Sequence, residues 1–417
     1  MTEATAHGLR RVSDDEVWSH LKTLFLGALA LFLVNIALGF MNAVTAGDLP
    51  RWQTLTHLHG GAIGWITLSV IGIGIWLVTG GREVSAAYAS RVHTLVWAGI
   101  IVFAGYIASF GISFYLFGNA MYLLPVFGTA AALVIWVATA FVLTEIRRVP
   151  VVTTTHLMVT GGLIVASVGA LLGVFAGLEQ ALGHFLPIER GEIVSVHRGP
   201  MEIYVLILGA GLVEWIALKE SAESWGYLGM AQAVLWGIAA LSLPVGIFIG
   251  VMPLVIIGFM IGILAFPLLF AVRMGWRALL TNPLEQGVDA WGFFGTIGLI
   301  AFPILFFTLG ETDAAWGLPV VFHIFFVGMM TNLLFGVLSA ATEDARSLHA
   351  LAEPTAMWGL NLGLVVFIAT RIALDTRLGA AVMGLAVLVG VAEMMFRLTD
   401  QSAGRRQERE PLGAVEA

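Results

Sequence analysis

The chain has 417 residues, of which 59% are hydrophobic and only 11% carry a charge. Soluble domains carry about 25% charged residues, so this composition excludes a soluble globular protein and indicates a polytopic membrane protein. The net charge is −7 and cysteine is absent, which excludes disulfides, iron–sulfur clusters and thiolate ligands and leaves histidine, carboxylate and methionine as the strong metal ligands. We expect a lipid bilayer as the surroundings and no nucleic-acid partner.

Twelve apolar segments of about the length that spans a bilayer follow one another along the chain. The seventh and eighth are joined around residues 249–253 with almost no polar residues, so total length alone separates them. The sequence predicts an all-α, twelve-helix membrane domain over residues 22–398, with an N-terminal tail over 1–21 and a C-terminal tail over 399–417. The predicted segments are 22–46, 57–79, 91–114, 121–144, 153–177, 194–218, 226–249, 252–273, 290–309, 317–340, 355–372 and 378–397.

The arginines and lysines alternate between the two ends of these segments, which predicts orientation because cytoplasmic loops are enriched in both. The ends that carry most of the positive charge include those at Arg10, Arg147 and Arg406. We therefore expect both termini to be cytoplasmic, in the inner membrane of a prokaryote. The first twenty residues are polar, so no cleavable signal peptide is expected.

Four histidines fall in one layer near the outer ends of segments 2, 6 and 10: His57, His59, His197 and His323. A histidine inside a membrane is costly to place and commonly serves as a metal or cofactor ligand or as a proton relay. The three segments are four apart, so the chain divides into three successive, pseudo-repeated groups of four.

The segments that contain His59 and His323 match in detail. Counting each histidine as position 0, both have glycine at +5, threonine at +8 and glycine at +13; these are Gly64, Thr67, Gly72 and Gly328, Thr331, Gly336. Two neutral imidazoles on facing helices can bind a haem iron from both sides. Gly64 and Gly328 would let a flat macrocycle approach the backbone, although small residues also serve simply to pack transmembrane helices.

His57 and His59 cannot bind the same haem, because residues two apart on a helix point about 200° apart. The repeat favours His59 as the iron ligand and leaves His57 as an interfacial histidine or a second ligand. His197 is expected near the haem layer, as a copper ligand or a partner of a haem propionate. Arg198 and Arg371 are candidate propionate partners, because guanidinium binds carboxylates in a bidentate manner; interfacial anchoring is the alternative.

These features resemble the catalytic subunit of the haem–copper oxidases, with twelve helices in three groups of four and histidines on the outer side of helices 2 and 10. In that family helix 10 carries His-x-His, but here the stretch is Val321-Phe322-His323. The family's His-Pro-Glu-Val-Tyr of helix 6 is replaced by Pro200-Met201-Glu202-Ile203-Tyr204, with proline at the copper ligand. No histidine lies between His197 and His323, so the paired copper ligands of helix 7 are absent.

The resemblance implies a membrane protein that keeps one low-spin haem b, with His59 and His323 as axial ligands, and has lost the usual copper site. Such a protein would serve in electron transfer or in a redox or nitric-oxide-related role, with an electron-donor subunit or a cytochrome as partner. A divergent oxygen or nitric-oxide reductase that uses other ligands, such as His57 and His197, stays open, and copper would then bind. The late segment HIFFVGMMTNLLFGV is also similar in type to a helix of the bacterial haem- and copper-containing membrane proteins linked to nitric-oxide stress.

A secondary transporter without haem is the alternative from another class, because twelve helices in two halves of six is a common carrier plan. A carrier would show a two-fold repeat with broken helices near the bilayer midplane. The histidines instead recur every four segments and lie in the outer third.

Overall fold

The computed structural model describes residues 3–45, 49–80, 82, 84–118, 121–183, 190–218, 227–265, 288–309, 317–343, 345–372, 375 and 377–400. These residues form twelve helices, and no strand occurs among them. The first six are α1 (Glu3–Val44), α2 (Arg51–Thr79), α3 (Ala86–Phe117), α4 (Leu123–Glu145), α5 (Thr154–Leu182) and α6 (Arg190–Leu218). The others are α7 (Tyr227–Phe248), α8 (Met252–Met260), α9 (Val288–Leu309), α10 (Gly317–His323, Ile324–Thr331 and Asn332–Ala341), α11 (Ala352–Ile372) and α12 (Arg377–Asp400).

Each of the twelve predicted segments overlaps one of these helices. Ten helices in the described part of the chain are long and apolar enough to cross a membrane, so the prediction of an all-α, polytopic membrane protein is confirmed. The join between the seventh and eighth segments falls where it was predicted, at Gly250 with φ +70° and with Pro253 at the start of α8. The predicted end of segment 8 at residue 273 and the C-terminal residues 401–417 lie outside the described residues.

The first helix differs from its predicted start at residue 22. Helix α1 begins at Glu3, because no proline or glycine lies between residues 9 and 21 to stop it. Its membrane-length part begins at Val17, where Val17, Trp18 and Leu21 are already buried.

The three helices that carry the predicted histidine layer, α2, α6 and α10, form the centre of the molecule. In α6, 94% of the apolar span is buried, and in α2 and α10 the fraction is 78%, whereas the other membrane-length helices reach only 33–50%. A helix that is buried all round belongs to the interior of a bundle. The remaining helices therefore surround a core of α2, α6 and α10.

Side chains join the three core helices pairwise. Trp65 Nε1 of α2 donates a hydrogen bond to Thr331 Oγ1 of α10 at 3.3 Å, and the hydroxyls of Thr67 of α2 and Tyr204 of α6 are 2.8 Å apart. Helices α6 and α10 approach closely at Gly209, where a Cβ would lie 2.7 Å from the sulfur of Met329.

The matched pattern after His59 and His323 corresponds to a shared local structure. A π-helical turn begins directly after each histidine, over Gly60–Thr67 and Ile324–Thr331. The threonine that ends each turn donates its hydroxyl to the carbonyl five residues earlier, at 2.8 Å in α2 and 3.0 Å in α10. The threonine at +8 thus bonds a carbonyl within the wider turn in both helices. Single π-turns of this kind are frequent at functional sites.

Candidate functional site

His57 of α2 and His323 of α10 border one cavity of about 140 Å³ between α1, α2, α10, α11 and α12. His57 Nδ1 lies 2.9 Å from the carbonyl oxygen of Asn35 in α1, and His323 Nδ1 lies 2.6 Å from that of Pro319, one turn earlier in α10. A carbonyl can only accept, so each Nδ1 carries the proton and donates it. In the neutral form of each ring this leaves a lone pair on Nε2, which is free to bind a metal.

The two rings are close enough to interact electrostatically, and both are half-buried because they border the cavity. Hydrogen bonds from Nδ1 to backbone carbonyls fix the tautomer and the orientation of metal-binding histidines and raise the basicity of the ligating nitrogen. Both rings have this arrangement. The structure thus brings together a pair of oriented imidazoles from two core helices.

Most of the cavity wall is apolar, with Asn35 and Arg371 among its polar side chains. The Oδ1 of Asn35 is buried and accepts no hydrogen bond from the described residues. Such an atom is costly to bury without a donor. The apolar wall comprises residues of α1, α11 and α12 in particular, among them Phe32, Ile36, Phe40, Phe367, Met383 and Val387.

Two glycines shape this cavity. A Cβ at Gly39 would lie 2.7 Å from Cε1 of His57, so only glycine at this position lets the ring lie against α1. A Cβ at Gly384 of α12 would meet no heavy atom within 4 Å, which shows open space on that side.

His59 does not border the cavity that contains His323. Its Nδ1 donates to the carbonyl of Leu55 at 2.8 Å, and its ring packs against Phe110 and Tyr106 of α3, with ring centres 4.7 and 5.6 Å away. The cavity thus brings His323 together with His57 and not with His59, the partner expected from the repeat. Two residues of separation point His57 toward α10 and turn His59 toward α3.

His197 of α6 lies on the same side of α2 as His59. Its Nδ1 donates to the carbonyl of Gly169 in α5 at 2.8 Å, and its ring lies against Gly173, where a Cβ would be 2.8 Å from Cε1. His59 and His197 are close enough to interact electrostatically. The four histidines are thus divided into two pairs, one on each side of α2.

Gly64 and Gly328, expected beside a macrocycle, instead let neighbouring helices approach. A Cβ at Gly64 would lie 2.7 Å from Ile107 of α3, and one at Gly328 would lie 2.9 Å from Leu364 of α11. These glycines therefore serve helix packing, the role that small residues commonly have in membrane bundles.

The two arginines expected at propionates have different positions. Arg371 borders the cavity of His57 and His323. Arg198 instead forms an ion pair with Glu202 one turn later in α6, and its guanidinium lies 4.7 Å above the centre of the Phe322 ring. Arg371 therefore stays a candidate propionate partner, whereas Arg198 contacts Glu202 and Phe322.

Asn35 and Gly39 of α1 were not predicted as site residues from the sequence. Asn35 was visible as a polar residue in the middle of an apolar run, which is an uncommon and often functional position. Gly39 had no comparable signal, because the chain contains 49 glycines.

Among the residues that the structure describes, no group of three or more histidine, aspartate or glutamate side chains is arranged to hold a metal ion. The arrangements present are pairs, and two axial imidazoles are what a six-coordinate haem requires from a protein. No known family model matches the chain, and no curated protein is similar to it at a significant level.

Proposed function

We propose that this protein binds a haem b in the membrane between His57 and His323 and uses it for electron transfer. Two neutral imidazoles that face one cavity, each held through Nδ1 by a backbone carbonyl, support this assignment most directly. The chemistry of a bis-histidine haem is one-electron exchange.

The surroundings fit a haem in three respects. The cavity wall is largely apolar, Arg371 could face a propionate, and the buried Oδ1 of Asn35 could accept from a protonated propionate or an ordered water. The cavity's volume of about 140 Å³ is close to that of a closed cavity that holds one benzene-sized ring, about 150 Å³. A macrocycle is larger than one such ring, so it would extend beyond the cavity through its open side, where Gly384 leaves room.

This chain's own residues have three tasks in such a site. The carbonyls of Asn35 and Pro319 keep each proton on Nδ1, so that Nε2 can bind iron. The apolar wall excludes water, which favours the neutral imidazole over its charged form. Arg371 supplies a positive charge that would stabilise the reduced state.

Ligation from both sides favours electron transfer over reduction of oxygen or nitric oxide, because it leaves no vacant position on the iron. The residues at the family's copper site point the same way: Val321 is apolar and fully buried, and Pro200 cannot coordinate a metal. We further propose an electron-donor subunit or a cytochrome as partner, and an inner-membrane location with both termini in the cytoplasm.

The repeat gives no support to a secondary transporter. The related features recur every fourth helix, in α2, α6 and α10, whereas a carrier of two six-helix halves would relate α2 to α8. The core helices are also unbroken through the described residues, apart from their π-turns.

The test is the optical spectrum and haem content of the purified full-length protein. The wild type should show a Soret band and the sharp bands of a low-spin haem, and His57→Ala and His323→Ala should each lose haem. His349→Ala, in an exposed loop, serves as the control and should keep it. A colourless wild type from haem-sufficient cells would overturn the proposal. Unchanged haem in both alanine variants would overturn the assignment of the ligands.

A further inference from the structure

His197 has the same relation to its group of four helices that His57 has to the first group. Its Nδ1 donates to a carbonyl of the preceding helix, that of Gly169, at 2.8 Å, and His57 donates to a carbonyl of α1 at 2.9 Å. Four residues after each carbonyl stands a glycine whose Cβ would touch the histidine ring, Gly173 at 2.8 Å and Gly39 at 2.7 Å. The contacts and the spacing are the same in both groups.

His59 and His323 are related in the same way. Each donates its Nδ1 proton to the carbonyl four residues earlier in its own helix, at 2.8 and 2.6 Å, and each directly precedes a π-turn. Each ring also packs against a phenylalanine of the next helix in its group. The ring centres are 4.7 Å apart for His59 and Phe110 of α3, and 4.4 Å apart for His323 and Phe367 of α11.

The pair His59–His197 therefore repeats the pair His323–His57, with one histidine bonded within its own helix and the other bonded to the preceding helix. We propose that His59 and His197 form a second bis-imidazole site and that it binds a second haem. This proposal rests on the proposed function of the first site.

The ring of His59 packs against Phe110 and Tyr106, which belong to an apolar cluster. In this cluster Phe110, Met121 and Leu124 are buried apart from the main core, and Trp52 and Tyr106 are among the residues packed against them. Such a cluster offers aromatic and aliphatic contacts to a macrocycle, whereas a hydrated ion would gain nothing from them.

The same relation predicts two sites rather than three. Each core helix offers two positions for a ligand at this level, two residues apart. They are His57 and His59 in α2, His197 and Gly199 in α6, and Val321 and His323 in α10. The third interface, between α6 and α10, would need side chains at 199 and 321 that can bind a metal. Glycine and valine cannot.

The ion pair of Arg198 and Glu202, with Phe322 under the guanidinium, lies at this third interface instead. Two of the three interfaces between the core helices thus keep a histidine pair. A fold that needed buried histidines only for packing would have no reason to retain them as pairs at two interfaces.

The experiment measures haem and metal per chain in the purified full-length protein, by pyridine haemochrome and elemental analysis. We expect two haems in the wild type, one in His57→Ala and His323→Ala, and one in His59→Ala and His197→Ala. The variant His57→Ala/His59→Ala should lose both. A redox titration should resolve two transitions in the wild type and one in each single variant.

A variant that misfolds could also lose haem, so His197→Gly is measured with and without added imidazole. Imidazole should restore the second haem by replacing the lost ligand. Failure to restore it in a monodisperse protein counts against ligation by His197.

The outcomes separate the two proposals. One haem per chain that survives His59→Ala and His197→Ala would overturn the second site and leave the first standing. Copper in place of the second haem, lost in His197→Ala, would overturn the claim that both sites bind haem. A wild type without haem would overturn both.

Discussion

The indole N–H of Trp65 in α2 donates a hydrogen bond to the hydroxyl of Thr331 in α10, at 3.3 Å in the buried core. The same hydroxyl donates to the carbonyl of Phe326 within the π-turn that follows His323. Thr331 therefore links the local structure of the histidine helix to the contact between the two helices that carry His57 and His323. The position of the candidate haem ligands depends on this link.

We predict that Thr331→Val destabilises the protein by about 1–3 kcal/mol, because the Trp65 donor is then buried without an acceptor. Thermal unfolding in detergent measures the loss of stability. Thr308→Val is the matched control, since Thr308 is exposed and bonds only within its own helix. Equal stability of the two variants would contradict the proposed role of Thr331.

The sequence predicted the number of helices well, because hydropathy and the positions of arginine are properties that can be read along one dimension. The repeat after His59 and His323 was also visible, since the threonine at +8 is tied to the π-turn of its own helix. These features are local, so no tertiary information was needed to find them.

The choice between His57 and His59 could not be made from the sequence. It depends on the rotation of α2 about its axis, and this rotation is fixed by contacts with other helices. Gly61 lets Asn35 of α1 approach, because a Cβ at position 61 would lie only 3.2 Å from the Nδ2 of Asn35. Gly64 likewise lets Ile107 of α3 approach. A helical periodicity gives the angle between two side chains but not the direction in which either one points.

Gly39→Ala should remove the haem that we propose between His57 and His323. The new Cβ would lie 2.7 Å from Cε1 of His57, so the ring must move away from α1, and a displacement of this size breaks ligand geometry. Haem content is the readout. Gly237→Ala, where a Cβ meets nothing within 4 Å, is the control, and a Gly39→Ala protein with full haem content would show that His57 is not a ligand.

Arg371→Gln should lower the midpoint potential of the same haem, because the positive charge at the cavity favours the state that carries one more electron. A change of about 60 mV corresponds to about 1.4 kcal/mol for one electron, which is the scale expected of one nearby charge in a partly buried site. A spectroscopic redox titration measures it. Arg377→Gln, at an exposed position, should leave the potential unchanged, and a rise in the potential of Arg371→Gln would contradict the assignment.

Arg397→Met should be strongly destabilising. Arg397 donates to Glu393 at 2.6 Å and to Glu353 at 2.7 Å, and Glu353 also accepts from Trp291 at 2.9 Å. Removing the guanidinium leaves the buried carboxylates of Glu353 and Glu393 without their shared cation, and breaking a buried ion pair costs about 3–5 kcal/mol. Unfolding in detergent is the measurement. Arg346→Met, which breaks the exposed pair with Asp400, should have little effect because water screens such pairs.

The last prediction concerns carbon monoxide, which binds reduced haem iron only where a coordination position is vacant. If His57 and His323 occupy both axial positions, the reduced wild type should bind carbon monoxide poorly, since the gas must displace an imidazole held by its backbone carbonyl. His57→Gly loses haem on purification but, when excess haem is added back, should hold the iron through His323 alone and bind carbon monoxide readily. Leu58→Ala, at an exposed neighbouring residue, should behave as the wild type does.

The measurement is the difference spectrum of the dithionite-reduced protein with and without carbon monoxide, titrated to saturation. Added imidazole should suppress binding in His57→Gly by occupying the opened position, a response that a general loosening of the fold would not produce. Stoichiometric carbon monoxide binding by the wild type, together with rapid turnover of oxygen or nitric oxide, would instead identify a vacant iron position and a gas-reducing enzyme.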